Sequence, residues 1–137
     1  MLPFTVRLRT GVSVYRQLVY AVQKAVVSGQ LLPGDRFPSV RNLSQELRIN
    51  PNTAQKVVRR LVDQGLLEVQ PGIGTIIVHL PEASPRERSA LLDDEVEQLV
   101  VEARRLSLTR DQLVRAVEDQ WDGLSEAGNR RKQKEEG

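Results

Sequence analysis

Cysteine is absent from this chain, histidine occurs once, aromatics make up only 4% and long apolar runs are missing, and each shortage removes a class of function. Without thiols there can be no disulfide framework, no thiolate metal site and no thiol chemistry, a usage that fits a reducing compartment. His79 alone cannot assemble a His-based metal cluster or a catalytic triad within one chain, and it reads as a wing-end or linker residue. No segment approaches the ~20 apolar residues of a membrane helix, and the N-terminus lacks the apolar run of a signal peptide, so a soluble cytoplasmic protein is expected. With 39% apolar content in 137 residues, a core is affordable. The scarcity of aromatics and of alternating strands points to Leu and Val packed from short helices around a small hairpin.

Carboxylates are plentiful but lack the company that chemistry needs. The run Asp93, Asp94, Glu95 and Glu97 reads as a solvated helix face, with no nucleophile and no phosphate-cradling glycine loop elsewhere to join it. No catalytic residue, metal or cofactor is expected, and the chain is not expected to be an enzyme. The net charge of +2 conceals an asymmetry. Residues 1–80 hold ten Lys/Arg against four Asp/Glu, net +6, whereas residues 81–137 hold ten against fourteen, net −4. A polyanion would therefore bind the front half.

What is present begins with Phe4, Val6 and Leu8 alternating with Thr5, Arg7 and Arg9, the period of a short half-buried strand or extended arm. Ser13 is a plausible N-cap for a first helix in which Val14, Leu18, Val22, Ala25 and Val26 share a face that ends at Gly29. The stretch from Gln30 to Pro38 carries Pro33, Gly34, Asp35 and Pro38 and cannot be helical, but Leu31, Leu32 and Phe37 should anchor it as an ordered connector. Ser39 then caps a helix of about nine residues with Val40, Leu43 and Leu47 inward. After Ile49, Asn50 caps the next helix and Pro51 takes its first position. Gly65 ends that helix, and Leu66, Leu67 and Val69 pair with Ile76, Ile77 and Val78 around a turn from Gln70 to Thr75. Helix, tight turn, helix and hairpin make a winged helix-turn-helix.

The third helix is the informative element. Ala54, Val57, Val58, Leu61 and Val62 recur at 3.6-residue spacing, which leaves Asn50, Asn52, Thr53, Gln55, Lys56, Arg59 and Arg60 on its other faces. Asn and Gln can pair bidentately with adenine, Thr offers a hydroxyl and a methyl, and Lys or Arg reaches phosphates. The blander alternatives are that Asn50 serves only as a cap and that Arg41, Lys56, Arg59 and Arg60 are solvated charges.

Beyond Leu80, Pro81 to Pro85 reads as a linker in which Ser84 and Pro85 open a long helix, with Leu92, Val96, Leu99, Val100, Ala103 and Leu106 in one stripe. Thr109 with Gln112 makes a capping box for a last helix bearing Leu113, Val114, Val117 and Trp121. The expected organisation is a winged helix-turn-helix domain over 1–80, a two-helix segment over 81–122 and a disordered tail over 123–137, the last from its want of apolar residues. The fold class is mainly α with a small β-hairpin.

The ordered motifs Gly29-Gln-Leu-Leu-Pro-Gly-Asp-Arg-Phe-Pro-Ser-Val-Arg-Asn-Leu, Ile49-Asn-Pro-Asn-Thr-Ala-Gln-Lys, Leu61-Val-Asp-Gln-Gly-Leu-Leu and Gly72-Ile-Gly-Thr resemble the GntR family of bacterial transcription regulators over about residues 10 to 80. The Asn-Pro-Asn-Thr start and the short two-helix end resemble its YtrA-like subfamily. The resemblance implies that Arg41 contacts DNA, that Asn50, Asn52, Thr53 and Gln55 meet the major groove, and that Gly72 and Gly74, with Thr75 beside them, let the wing approach the backbone. Ile73 departs from the basic residue that members often place between the wing glycines, and Pro51 replaces a basic residue of some relatives.

Two amphipathic helices cannot bury their stripes alone, so Leu92, Val96, Leu99, Val100, Leu106, Val117 and Trp121 are expected at a homodimer interface. The expected partner is a palindromic operator with half-sites roughly 34 to 36 Å apart or a multiple of that. About forty residues cannot enclose a small-molecule pocket, which leaves the dimer interface as the place for an effector. By the resemblance, the expected function is a homodimeric repressor of its own or a neighbouring transporter operon. The alternative is a winged helix used as a protein interaction module.

Overall fold

The computed structural model describes residues 1–136, and nothing is described of the side chains of residues 126–130 and 132–136. Two compact units are present among the described residues, one of residues 1–80 with 124–136, the other of residues 81–123. In the first, helices α1 (Val14–Val27), α2 (Val40–Leu47) and α3 (Pro51–Asp63) precede strands β1 (Leu67–Gln70) and β2 (Gly74–Ile77). Local chemistry sets each helix start. Ser13, Ser39 and Asn50 adopt non-helical backbone and accept a hydrogen bond on the side-chain oxygen from the N–H of Arg16, Asn42 and Asn52 respectively, filling one of the donors that a first turn leaves open.

Arg48 ends α2 in left-handed backbone at φ 53, a conformation that glycine more often supplies. That residue turns the chain sharply enough for only Ile49 and Asn50 to separate it from α3. Gly65 at φ 77 terminates α3, and its N–H donates to the Val62 carbonyl at 2.9 Å. The hairpin pairs Leu67 with Ile77 through to Gln70 with Gly74, so the turn is confined to Pro71, Gly72 and Ile73. It is tighter than the Gln70–Thr75 turn expected.

Fully buried Leu18, Val22, Leu31, Leu43, Val57, Leu61 and Ile77 form one core contributed by all three helices, the connector and β2. Deleting methyl groups there removes transfer free energy and leaves a void. Leu61→Ala is expected to cost about 2 to 5 kcal/mol, a large share of a domain's stability, read as a lower urea midpoint at unchanged slope. A loss below about 1 kcal/mol would mean that the α3 face is not held as described.

The connector is ordered by pairing as well as by its apolar anchors. Arg36 bridges Ile76 in antiparallel fashion, with the Phe37 N–H donating to the Thr75 carbonyl and the Ile77 N–H to the Asp35 carbonyl, both at 2.8 Å. The hairpin thus gains a third short edge. The Asp35 carboxylate accepts from the Leu32 N–H at 2.8 Å and pairs with Arg131 at 2.7 Å. The Arg131 guanidinium, aided by the Leu32 N–H, holds this carboxyl below the usual Asp range against the opposing effect of its partial burial.

In the second unit, α4 (Pro85–Ser89) opens with a capping box between Ser84 and Glu87 and passes through a π-helical stretch, Ala90–Glu95, into α5 (Val96–Arg105). The wider turn shifts the phase of the apolar stripe, which a reading of one continuous 3.6-residue period did not anticipate. Ser107 in left-handed backbone ends α5, and Thr109 with Gln112 opens α6 (Arg110–Glu136). The helix α6 passes Gly123 and runs to Glu136, so the tail expected to be disordered from residue 123 is helical to that point. Its residues are poor in apolar groups but rich in Glu, Lys, Arg and Gln, which are strong helix formers, and an internal glycine costs only about 1 kcal/mol. No helix among the described residues is long and apolar enough to cross a membrane.

Candidate nucleic-acid interface

The two-sidedness of α3 follows from its sequence spacing. Ala54, Val57 and Leu61 are buried against the core, and this fixes the rotation of the helix about its own axis. Asn52, Gln55, Lys56, Arg59 and Arg60 are consequently exposed, with Thr53 half-buried between the faces. Asn50 caps the helix, its side-chain Oδ1 accepting from the Asn52 N–H at 2.8 Å, which leaves the side-chain NH2 as its available donor. Pro51 at N1 lacks an N–H that would have gone unpaired, and its fixed φ suits a first turn. The early α3 residues therefore offer an exposed amide, a hydroxyl and the positive end of the helix dipole together.

Arg41 is exposed on α2, which packs against α3. At the wing, the Ile73 N–H donates to the Gln70 carbonyl at 3.1 Å, with Pro71 and Gly72 (φ 78) at the turn centre in the residue pattern of a type II turn. Gly74 at φ 114 restarts the strand. A side chain at Gly72 or Gly74 would meet open space, so the positive φ is what requires glycine in the free chain. The exposed tip residue is Ile73, an apolar group, and Thr75 behind it is half-buried in the ladder with its carbonyl paired to Phe37.

One participant was not singled out as a site residue by the sequence. Tyr15, on the first turn of α1, lines an open groove of about 500 Å³ with Thr53, Lys56, Arg59, Arg60 and, as its one acidic member, Asp63. Its spacing marks it as flanking the apolar face of α1, but only the packing of α1 against α3 places it beside the basic edge. A phenol there provides an apolar ring with a polar tip at a wet surface. Among the described residues no three His, Cys, Asp or Glu side chains gather as a metal would need.

The residues expected at a subunit interface stand on the second unit. Leu92 is 65% exposed, Leu99 46% and Trp121 73%, and Val96, Val100, Leu106 and Val117 are exposed as well. Ala103 is the one buried residue that α5 contributes, and Leu113 is half-buried. Between α5 and α6 lies an apolar groove of about 720 Å³ walled by Leu99, Val100, Leu113 and Val117, with Arg104 and Arg110 among its other lining residues.

A short helix-turn-helix whose second helix presents polar and basic groups, followed by a glycine-turned hairpin, defines a winged helix-turn-helix DNA-binding protein. Residues 14–77 match the bacterial regulatory proteins of the gntR family, and this portion of the chain belongs to that family. The likeness to individual relatives runs further. The chain is 28% identical over 110 residues to the uncharacterized HTH-type transcriptional regulator YhcF of Bacillus subtilis, covering 80% of this chain and 91% of that one. It is 27% identical over 106 residues to the HTH-type transcriptional repressor YtrA of the same organism, covering 77% and 82%. A crystal structure described as a transcriptional antiterminator from Listeria monocytogenes superposes with a TM-score of 0.75 over 89% of this chain and 92% of that one, at 22% identity, a likeness of fold.

Proposed function

We propose that this protein is a homodimeric transcription repressor of the cytoplasm that reads a palindromic operator near its own gene or a neighbouring transporter operon. The observation that carries the reading is the exposed edge of α3, Asn52, Gln55, Lys56, Arg59 and Arg60, held out by the burial of Ala54, Val57 and Leu61 on the opposite side. Asn50, Asn52, Thr53 and Gln55 address base edges, whereas Arg41, Lys56, Arg59 and Arg60 set affinity and register on phosphates. The wing, turned by Gly72 and Gly74 with Thr75 at its root, lies along the backbone without a charged tip. Repression is supported by the likeness to a relative named as a repressor.

The stripe of Leu92, Val96, Leu99, Val100, Leu106, Val117 and Trp121 is assigned to the subunit interface, because a two-helix unit exposing these residues has no core of its own. The α5–α6 groove is open on one side, and a second copy would close it into a site for a small-molecule effector that alters the separation of the two recognition helices. A winged helix serving as a protein interaction module is disfavoured by the basic residues along α3, since Lys is depleted at the centres of protein interfaces.

Footprinting on the DNA upstream of the gene tests the assignment, with a two-fold symmetric protected region as the expected result. Asn52→Ala and Gln55→Ala should each cost ~1 to 3 kcal/mol of operator affinity and relax the preference at one base position per half-site. Equal weakening on operator and unrelated duplex would remove these two residues from base recognition.

A further inference from the structure

The groove between α5 and α6 has unlike ends. Its apolar wall, with Leu99, Val100, Leu113 and Val117, is shared by both helices, and its volume of about 720 Å³ lies in the range of about 300–1,000 Å³ that small-molecule sites occupy. Arg104 stands in the last turn of α5 and Arg110 is the first residue of α6, so both line the groove where the two helices are joined. Glu118, the one acidic lining residue, follows Val117 about two turns further along α6. One end is therefore cationic and the other anionic.

Neither lining arginine has a carboxylate of its own. Arg105, beside Arg104 in sequence, is paired with Glu102 at 2.5 Å, whereas Arg104 and Arg110 form no ion pair among the described residues. Both are exposed, and water solvates them in the open groove. A second copy laid over the groove, as assigned above, would strip that water away, and a cation buried without a partner is costly. The closed site would then need an anion. We propose that the groove takes an amphipathic monocarboxylate, its hydrocarbon body along the apolar wall and its carboxylate between Arg104 and Arg110. The proposal rests on the effector reading above and supplies the chemical class of the ligand. A planar guanidinium matches a carboxylate bidentately, and Glu118 repels such a head from the far end, which fixes the orientation. Two cations against Glu118 leave one positive charge, which a monoanion neutralises and a dianionic phosphate monoester exceeds.

The test uses the full chain, with decanoate, decanol and decyl phosphate as probes. Trp121, the only tryptophan, lies one turn beyond Val117 on α6 and reports binding by its fluorescence. Decanoate should bind about ten- to a hundredfold more tightly than decanol, whose tail is of the same length. Arg104→Gln with Arg110→Gln should abolish that preference and leave the affinity for decanol as it was. Equal binding of decanoate and decanol by the parent chain, or tighter binding of decyl phosphate, would overturn the carboxylate assignment. So would a weaker dimer in the ligand-free double variant, since the arginines would then serve carboxylates of the second copy. Sedimentation separates this proposal from the reading it builds on. A dimer that binds none of the probes keeps the interface and loses the ligand, whereas a monomer that still prefers decanoate through both arginines keeps the ligand site and loses the interface.

Discussion

Leu99→Glu combined with Val117→Glu should sediment as a monomer at micromolar concentration and bind the full operator some hundred- to ten-thousand-fold more weakly than the parent chain. The size of the effect follows from the second unit. Among residues 81–123 the burial of Ala103 and the half-burial of Leu113 are nearly all that two helices achieve, while large apolar side chains stand bare along both. A contiguous exposed apolar surface of that kind signals a partner. Two copies sharing it would link two DNA-reading domains, so engagement of the second half-site becomes intramolecular and contributes the avidity that the charged variants lack.

A duplex with a single half-site provides the control. Each DNA-reading domain has its own core, so parent and variant should bind one half-site about equally. If the variant remains dimeric, the interface lies elsewhere on the molecule. If it is monomeric but undiminished on the full operator, dimerisation does not link the two reading heads.

The fold was legible wherever short-range chemistry decides it. Ser13, Ser39, Asn50, Ser84 and Thr109 all stand at helix starts because a side-chain oxygen can fill an N–H that the first turn leaves open, and that need is visible in a few residues of sequence. The rotation of α3 was legible for a similar reason, since its apolar period is regular over thirteen residues. The features that escaped depend on partners distant in sequence or on unusual backbone. The bridge from Arg36 to Ile76 joins residues forty positions apart, and nothing in the connector's proline and glycine content suggests pairing. Arg48 takes the left-handed conformation without being glycine, and the π-helical stretch at Ala90–Glu95 breaks a period that looks continuous on paper. At the candidate site the residue types on α3 could be read directly, but the approach of Tyr15 is a product of tertiary packing.

Raising the salt concentration from 50 to 200 mM should weaken operator binding by roughly a thousand- to a hundred-thousand-fold. Arg41, Lys56, Arg59 and Arg60 are exposed, and none of the four forms an ion pair among the described residues, so their charges are not already neutralised by the protein. With the four proposed phosphate contacts in each of two proposed copies the total would be eight, within the range for which counterion release produces a fall of that size. Discrimination should survive better than affinity. If Asn52 and Gln55 contact bases as proposed, those contacts are neutral hydrogen bonds that displace no counterions, so the ratio of operator to unrelated DNA should change far less than either constant. Charge removal and the removal of a base-reading amide are therefore separable: Arg59→Ala should flatten the salt slope by about 0.9 per copy on every sequence, whereas Gln55→Ala should leave the slope as it was. A slope near zero in the parent chain would exclude these cations from the interface and return them to the solvated surface.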